Sequence, residues 1–249
     1  AGALAYTLQL YFDFSGYSEM AVALGLMLNI RLPINFDSPY KSRSIIEFWR
    51  RWHMTLSDFL KRYLYIPLGG NRRGETARMR NLMITMLLGG LWHGAGWTYV
   101  VWGGLHGLYL VLNNLKRRFG IRTPGAVSWA VTFLCVVAGW VIFRAANLRD
   151  AASILAAMSG LHGVVIPENL AKAVPAAASI GLKSGFVFID KKSFLLVAAL
   201  LPCALFLPNP HKIMERFKPT FLWGAVTAAV LFACLISLGG ATEFLYFQF

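Results

Sequence analysis

Apolar positions in this chain run together instead of alternating with polar ones. Residues 81–115, 123–143, 193–210 and 219–242 form stretches of 35, 21, 18 and 24 residues without Asp, Glu, Lys or Arg. A helix needs roughly 20 apolar residues to cross a hydrocarbon core of about 30 Å, and soluble domains rarely carry several such runs. The pattern predicts an all-α fold, a polytopic transmembrane helical bundle. The 81–115 run is too long for one crossing, because a straight helix of that length reaches about 52 Å. Gly89-Gly90, Gly94-Ala95-Gly96 and Gly103-Gly104 interrupt it, so two short or broken helices are expected to meet near 94–96 around a central cavity.

A helical period governs residues 45–65. Ile45, Phe48, Trp49, Trp52, Leu56, Phe59, Leu60 and Tyr63 make one apolar stripe, with Arg50, Arg51, Asp58, Lys61 and Arg62 opposite. Ser44 and Glu47 have capping-box spacing. One amphipathic helix lying along the membrane interface is expected, anchored by its aromatic residues.

Composition agrees, with 57% hydrophobic and 14% charged residues, while the net charge of +13 raises the question of nucleic acid. The distribution answers it. Of 24 Lys and Arg, 11 lie in residues 31–80, four in 116–122 and three in 212–218. Short basic segments beside apolar runs point to cytoplasmic loops meeting anionic membrane lipids, not to a nucleic-acid-binding domain. The alternation then places 31–80, 116–122 and 211–218 in the cytoplasm. Residues 144–192, including the Ala-rich 171–182, and 243–249 fall outside. Ala1 precedes no charged n-region, so no signal peptide is read, and residues 1–249 are expected to be the C-terminal part of one longer membrane domain. Cys135, Cys203 and Cys234 lie far apart in apolar runs, as small buried hydrophobes rather than a disulfide or metal set.

Two histidines carry the chemical interest. His93 stands in Leu91-Trp92-His93-Gly94-Ala95-Gly96-Trp97, inside the uncharged run, and His53 ends Phe48-Trp49-Arg50-Arg51-Trp52-His53. An ionisable group at membrane depth is costly and usually belongs to a pathway or a reaction. A buried imidazole is neutral and can take a proton from a hydroxyl attacking an acyl carbonyl. Packing against a neighbouring helix is the other reading for His93, and contact with headgroups the other reading for His53. His106 is expected to pack, and His162 and His211 to be solvated. No zinc spacing, nucleophile elbow or phosphate-binding glycine loop is present. Asp13, Ser15 and Glu19 either line a cavity or cap the helix that follows.

Four motifs together resemble the membrane-bound O-acyltransferase (MBOAT) family. They are Tyr11-Phe-Asp-Phe-Ser-Gly-Tyr-Ser18, Phe48-Trp-Arg-Arg-Trp-His53, Tyr63-Leu-Tyr-Ile-Pro-Leu-Gly-Gly-Asn-Arg72 and Leu91-Trp-His-Gly94. The third is most similar to the bacterial alginate and polysaccharide O-acetyl branch, as is the C-terminal Glu243-Phe-Leu-Tyr-Phe-Gln-Phe249. Teichoic acid D-alanylating relatives share the two histidine motifs. The resemblance implies His93 and His53 as catalytic, with Arg50, Arg51, Trp52, Trp92, Asp13 and Ser15 as candidate substrate contacts. It implies acetyl-CoA as acyl donor, with no bound cofactor and no metal. It also implies a periplasmic acetyltransferase partner, a polysaccharide export complex and a multi-pass location in the bacterial inner membrane. Two rival readings are a transporter, disfavoured because no apolar run pairs acidic with basic residues, and a non-catalytic scaffold.

Overall fold

The computed structural model describes residues 2–167, 182–185 and 191–237. Helix α1 (Gly2–Met27) is followed by a 3-10 turn (Pro39–Lys41), two short helices α2 (Ile45–Trp49) and α3 (Met54–Leu60), and a π-turn (Lys61–Tyr65). The long helices α4 (Gly74–His93), α5 (Trp97–Arg118) and α6 (Gly125–Arg144) come next, then α7 (Leu148–Met158). Strands β1 (Val164–Pro167) and β2 (Leu182–Gly185) pair in parallel. Helices α8 (Lys191–Phe206), α9 (Pro210–Met214) and α10 (Phe221–Ser237) complete the described chain.

The long uncharged run breaks where its glycines cluster. Residues 94–96 separate α4 from α5, which pack tightly on each other. Glycine makes that approach possible: a methyl group at Gly103 would overlap the Met86 carbonyl oxygen, and one at Gly90 would overlap that of Tyr99. Gly94 is equally confined, since a Cβ there would lie 2.7 Å from Tyr99 Cε2.

Among the described residues, one helix, α6, is long and apolar enough to cross a membrane; Ser193–Phe206 and Phe221–Ser237 are shorter apolar helices. The run 81–115 falls short of that measure because Gly, Asn, His and Trp dilute it and its helices carry charged ends. Within the expected outer segment 144–192, α7 is capped by Asn147, whose side chain accepts from the Asp150 amide. Most of the Ala-rich 171–182 and all of 243–249 lie outside the described residues. Cys135 and Cys203 are half-buried, but Cys234 is exposed on α10, which has no buried residue.

The 45–65 helix differs most from expectation. Ser44 caps α2 as predicted, accepting from the Glu47 amide at 3.1 Å, while the Glu47 carboxylate accepts from the Arg43 amide at 2.8 Å. The helix then stops at Trp49, turns through Arg50–His53, and restarts at Met54. Ile45, Phe48, Trp52, Leu56 and Leu60 are buried, whereas Phe59 and Tyr63 are exposed. A continuous helix keeps one phase; the turn changes it, so Leu56 and Leu60 stay buried while Phe59 and Tyr63 face outward.

The core is aromatic. Trp52 stacks between Phe48 (5.6 Å) and Tyr40 (6.0 Å), and meets Phe36 edge-on at 5.0 Å and Trp140 at 4.9 Å. Such pairs contribute about 0.5–1.5 kcal/mol each beyond their buried area. Tyr11 of α1 joins it, 5.1 Å from Tyr40 and 6.4 Å from Trp52, so the cluster ties α1, the 3-10 turn, α2 and α6 together.

Candidate active site

His53 is held in an unusual backbone state. It has φ 43° and caps α3 without a side-chain bond. A left-handed conformation costs a non-glycine residue roughly 1–2 kcal/mol, so something outside the turn must maintain it. Asn35 does. Its carbonyl accepts the Met54 amide at 3.0 Å. Its side-chain Oδ1 contacts His53 Nδ1 at 3.1 Å, Thr55 Oγ1 at 3.0 Å and the Thr55 amide at 3.3 Å. Three donors converging on one oxygen assign the His53 proton to Nδ1. The other ring nitrogen, Nε2, keeps its lone pair.

His93 ends α4, one residue before the glycine break. Its ring meets the edges or faces of Trp92 (4.9 Å), Trp102 (5.3 Å) and Phe143 (5.2 Å). The two histidines, 40 positions apart in sequence, line one cavity of about 40 Å³ with Leu10, Phe14, Trp49, Trp52, Leu56, Trp102, Trp140 and Phe143. Two larger pockets share lining residues with this cavity. One, of about 700 Å³, shares Phe14, His53 and Leu56 with it and has no charged residue among the described residues of its lining. The other, of about 450 Å³, shares Trp49 with the cavity and, among the described residues, is lined by Arg50, Lys61, Arg78 and Arg117 with no acidic residue.

The remaining predicted residues divide. Trp52 is a buried core residue that presents one side to the histidine cavity. Trp92 is exposed and lines the uncharged pocket. Arg50 lines the basic pocket, but Arg51 is engaged elsewhere, 2.9 Å from Glu47 and 3.7 Å from Asp37. Asp13 and Ser15 lie within α1 and line neither the cavity nor the two pockets beside it; Phe14, Tyr17 and Ser18 line the uncharged pocket instead. Because α1 runs through them, they cap no following helix. Glu19 pairs with His211 at 2.8 Å, so that histidine is not freely solvated. His106 packs as expected, fully buried among aromatic rings.

Asn35 was not visible as a site residue in the sequence. The only signal was a polar residue between Ile34 and Phe36, and its partner lies 18 positions away.

A profile of the membrane-bound O-acyltransferase family matches residues 1–148. The chain belongs to this family. It is 59% identical over 161 residues to a probable alginate O-acetylase of Pseudomonas putida, covering 63% of this chain and 33% of that protein. It is 54% identical over 165 residues to a peptidoglycan O-acetyltransferase of Helicobacter pylori, covering 65% of this chain and 31% of the relative. A teichoic acid D-alanyltransferase of Streptococcus thermophilus is 35% identical over 163 residues, or 55% of this chain and 39% of that protein. The chain thus spans about a third of the length of the two O-acetyl relatives. The matched part of this MBOAT chain contains both histidines, the turn that carries His53 and the whole α4–α5 pair.

Proposed function

We propose that this chain carries the reaction centre of a membrane O-acetyltransferase. It moves an acetyl group from cytoplasmic acetyl-CoA toward a hydroxyl of an exported polysaccharide such as alginate, directly or through a periplasmic partner transferase. The observation that carries this reading is the cavity shared by His53 and His93, which shares lining residues with a basic pocket and with a larger uncharged pocket. Arg50, Lys61 and Arg117 suit the phosphates of coenzyme A, and the uncharged pocket suits a sugar hydroxyl. His53 lines the uncharged pocket as well as the cavity, so its free Nε2 meets the acceptor first and orients the hydroxyl. His93 takes the hydroxyl proton as the oxygen attacks the thioester carbonyl. The carbon–sulfur bond breaks, the oxygen ester forms, and the proton leaves with the coenzyme A thiol.

The O-acetyl relatives, at 54–59% identity, favour acetyl transfer over D-alanyl transfer, whose relative stands at 35%. The test is labelled acetyl-CoA supplied to membranes containing the full-length protein and its native export machinery. Label should enter the polysaccharide with wild type and not with His93→Ala. Equal labelling in both membranes would overturn the reading, as would transfer of D-alanine but not acetate.

The proposed topology places 31–80 and 116–122 on the cytoplasmic face of a multi-pass inner-membrane bundle. Arg43, Arg50, Lys116 and Arg117 line one depression, which brings basic residues of the two segments together, and the positive-inside tendency assigns them to the cytoplasm. Single cysteines at the exposed positions Arg72 and Thr123 should resist a membrane-impermeant thiol reagent in intact spheroplasts and react after permeabilisation. Reaction of both before permeabilisation would reverse the assignment.

A further inference from the structure

Trp49 occupies a position that the reaction as proposed does not use. It is the one residue shared by the linings of the basic pocket and the histidine cavity. An acyl group passing from a phosphate-bearing donor in the first to His93 in the second must pass this indole. The ring is not free to drift. Its Nε1–H donates to His106 Nδ1 at 3.2 Å, and its edge meets Trp102 at 5.8 Å.

His106 is built for that bond. It is 0% exposed, and the rings around it are Phe48, Trp49, Trp102, Tyr109 and Trp140. Accepting at Nδ1 places its proton on Nε2, which has no hydrogen-bond partner. Nε2 instead fills the space beside Gly139, where a Cβ would lie 2.7 Å away. Burying a polar atom without a partner costs about 1–3 kcal/mol. An apolar side chain would fill the same aromatic nest without that cost, so the one thing the imidazole adds is the acceptor for Trp49.

We propose that Trp49, held by His106, is the partition between donor pocket and histidine cavity, and that it limits the transferred acyl chain to two carbons. The size of the cavity sets the limit. At about 40 Å³ the cavity has about a tenth or less of the space of either pocket beside it, at about 450 and 700 Å³, so it suits the carbonyl and methyl of acetyl and no longer chain. A butyryl chain has two further methylenes, which would run into Trp49 or into the acceptor's approach past His53. His106 is therefore a positioning residue, acting on selectivity through Trp49.

The inference rests on the acyltransferase reading, and the experiment separates the two. Native membranes with the full-length protein are given acetyl-, butyryl- or hexanoyl-coenzyme A, and thiol release above that of His93→Ala membranes is measured. Wild type should prefer acetyl. Trp49→Ala should raise the butyryl-to-acetyl ratio by about 10-fold or more, the usual worth of a methylene in an apolar pocket. Trp49→Phe and His106→Leu, which keep bulk but lose the bond, should shift the ratio in the same direction by less. His106→Asn, whose Oδ1 falls near the position of Nδ1, should return it to the wild-type value. An unchanged ratio in active Trp49→Ala or Trp49→Phe protein would overturn the partition. So would loss of all three activities in Trp49→Ala protein present at wild-type amount, or equal ratios for His106→Leu and His106→Asn. Wild-type membranes that release no thiol above the His93→Ala background would instead sink the acyltransferase reading beneath it.

Discussion

His93→Gln is expected to transfer acetyl groups about 10² to 10⁴ times more slowly than wild type, the range a positioned general base contributes. Glutamine keeps the length and hydrogen-bonding capacity of the side chain but takes up no proton at neutral pH. His93→Ala should be slower to a similar degree, and the comparison between them matters more than either alone. A histidine that only packs against Trp92, Trp102 and Phe143 would tolerate glutamine better than alanine. A base loses its function equally in both. Acetyl incorporation at matched amounts of membrane-inserted protein decides between them, and near-wild-type turnover in His93→Gln would leave His93 a packing residue.

The second large effect is expected at Asn35, which lines the uncharged pocket and acts by holding His53 rather than by taking up a proton. Asn35→Leu deprives His53 Nδ1–H, the Thr55 hydroxyl and the Thr55 amide of their common acceptor. Each such loss costs about 1–3 kcal/mol where the donor stays buried. Without that anchor the left-handed turn at His53 (φ 43°) keeps only the backbone bond from the Met54 amide to the Asn35 carbonyl, and a shift of about 1 Å in a positioned group can lower turnover about 10²-fold. The fall should appear in kcat more than in KM for the donor, because the basic pocket lies beyond Trp49. Asn35→Asp keeps the accepting oxygen and should recover most of the rate. Acetyl transfer and thermal stability measured on the same preparations check this. Wild-type kcat in Asn35→Leu, or no recovery in Asn35→Asp, would show that Asn35 does not orient His53.

The basic residues show how far charge can be read without a fold. Arg50, Arg51, Lys61 and Arg62 form one face of a helical wheel, and all four look equally available to a phosphate. In the structure Arg50 and Lys61 line the basic pocket. Arg51 turns to Glu47 and Asp37, and Arg62 to Asp58 at 2.7 Å. Arg78 and Arg117, from α4 and α5, complete the pocket. Helical spacing specifies which residues share a face of one helix; it says nothing of which other elements bring charges to that face.

By itself the sequence determined the features that depend on near neighbours. The break between α4 and α5 follows from Gly94 and Gly96, the start of α2 from Ser44 and Glu47, and the apolar helix α6 from an uninterrupted run. The two histidine motifs were legible for the same reason, as were the four motifs that resemble the family. Caps, glycine breaks and apolar runs act over a few residues, so their physics is written in local order. The tertiary structure alone decided that His53 and His93 share a cavity across 40 positions, that Asn35 bends the chain at His53, and that Trp49 is tied to His106 across 57 positions. It also decided that one amphipathic stripe becomes two helices with different phases. Those outcomes depend on which surfaces meet when α1, α5 and α6 pack against the 3-10 turn and α2. No period or spacing within a single segment encodes that meeting, because a hydrogen bond or ring contact forms only when distant parts of the chain are brought to within a few ångströms.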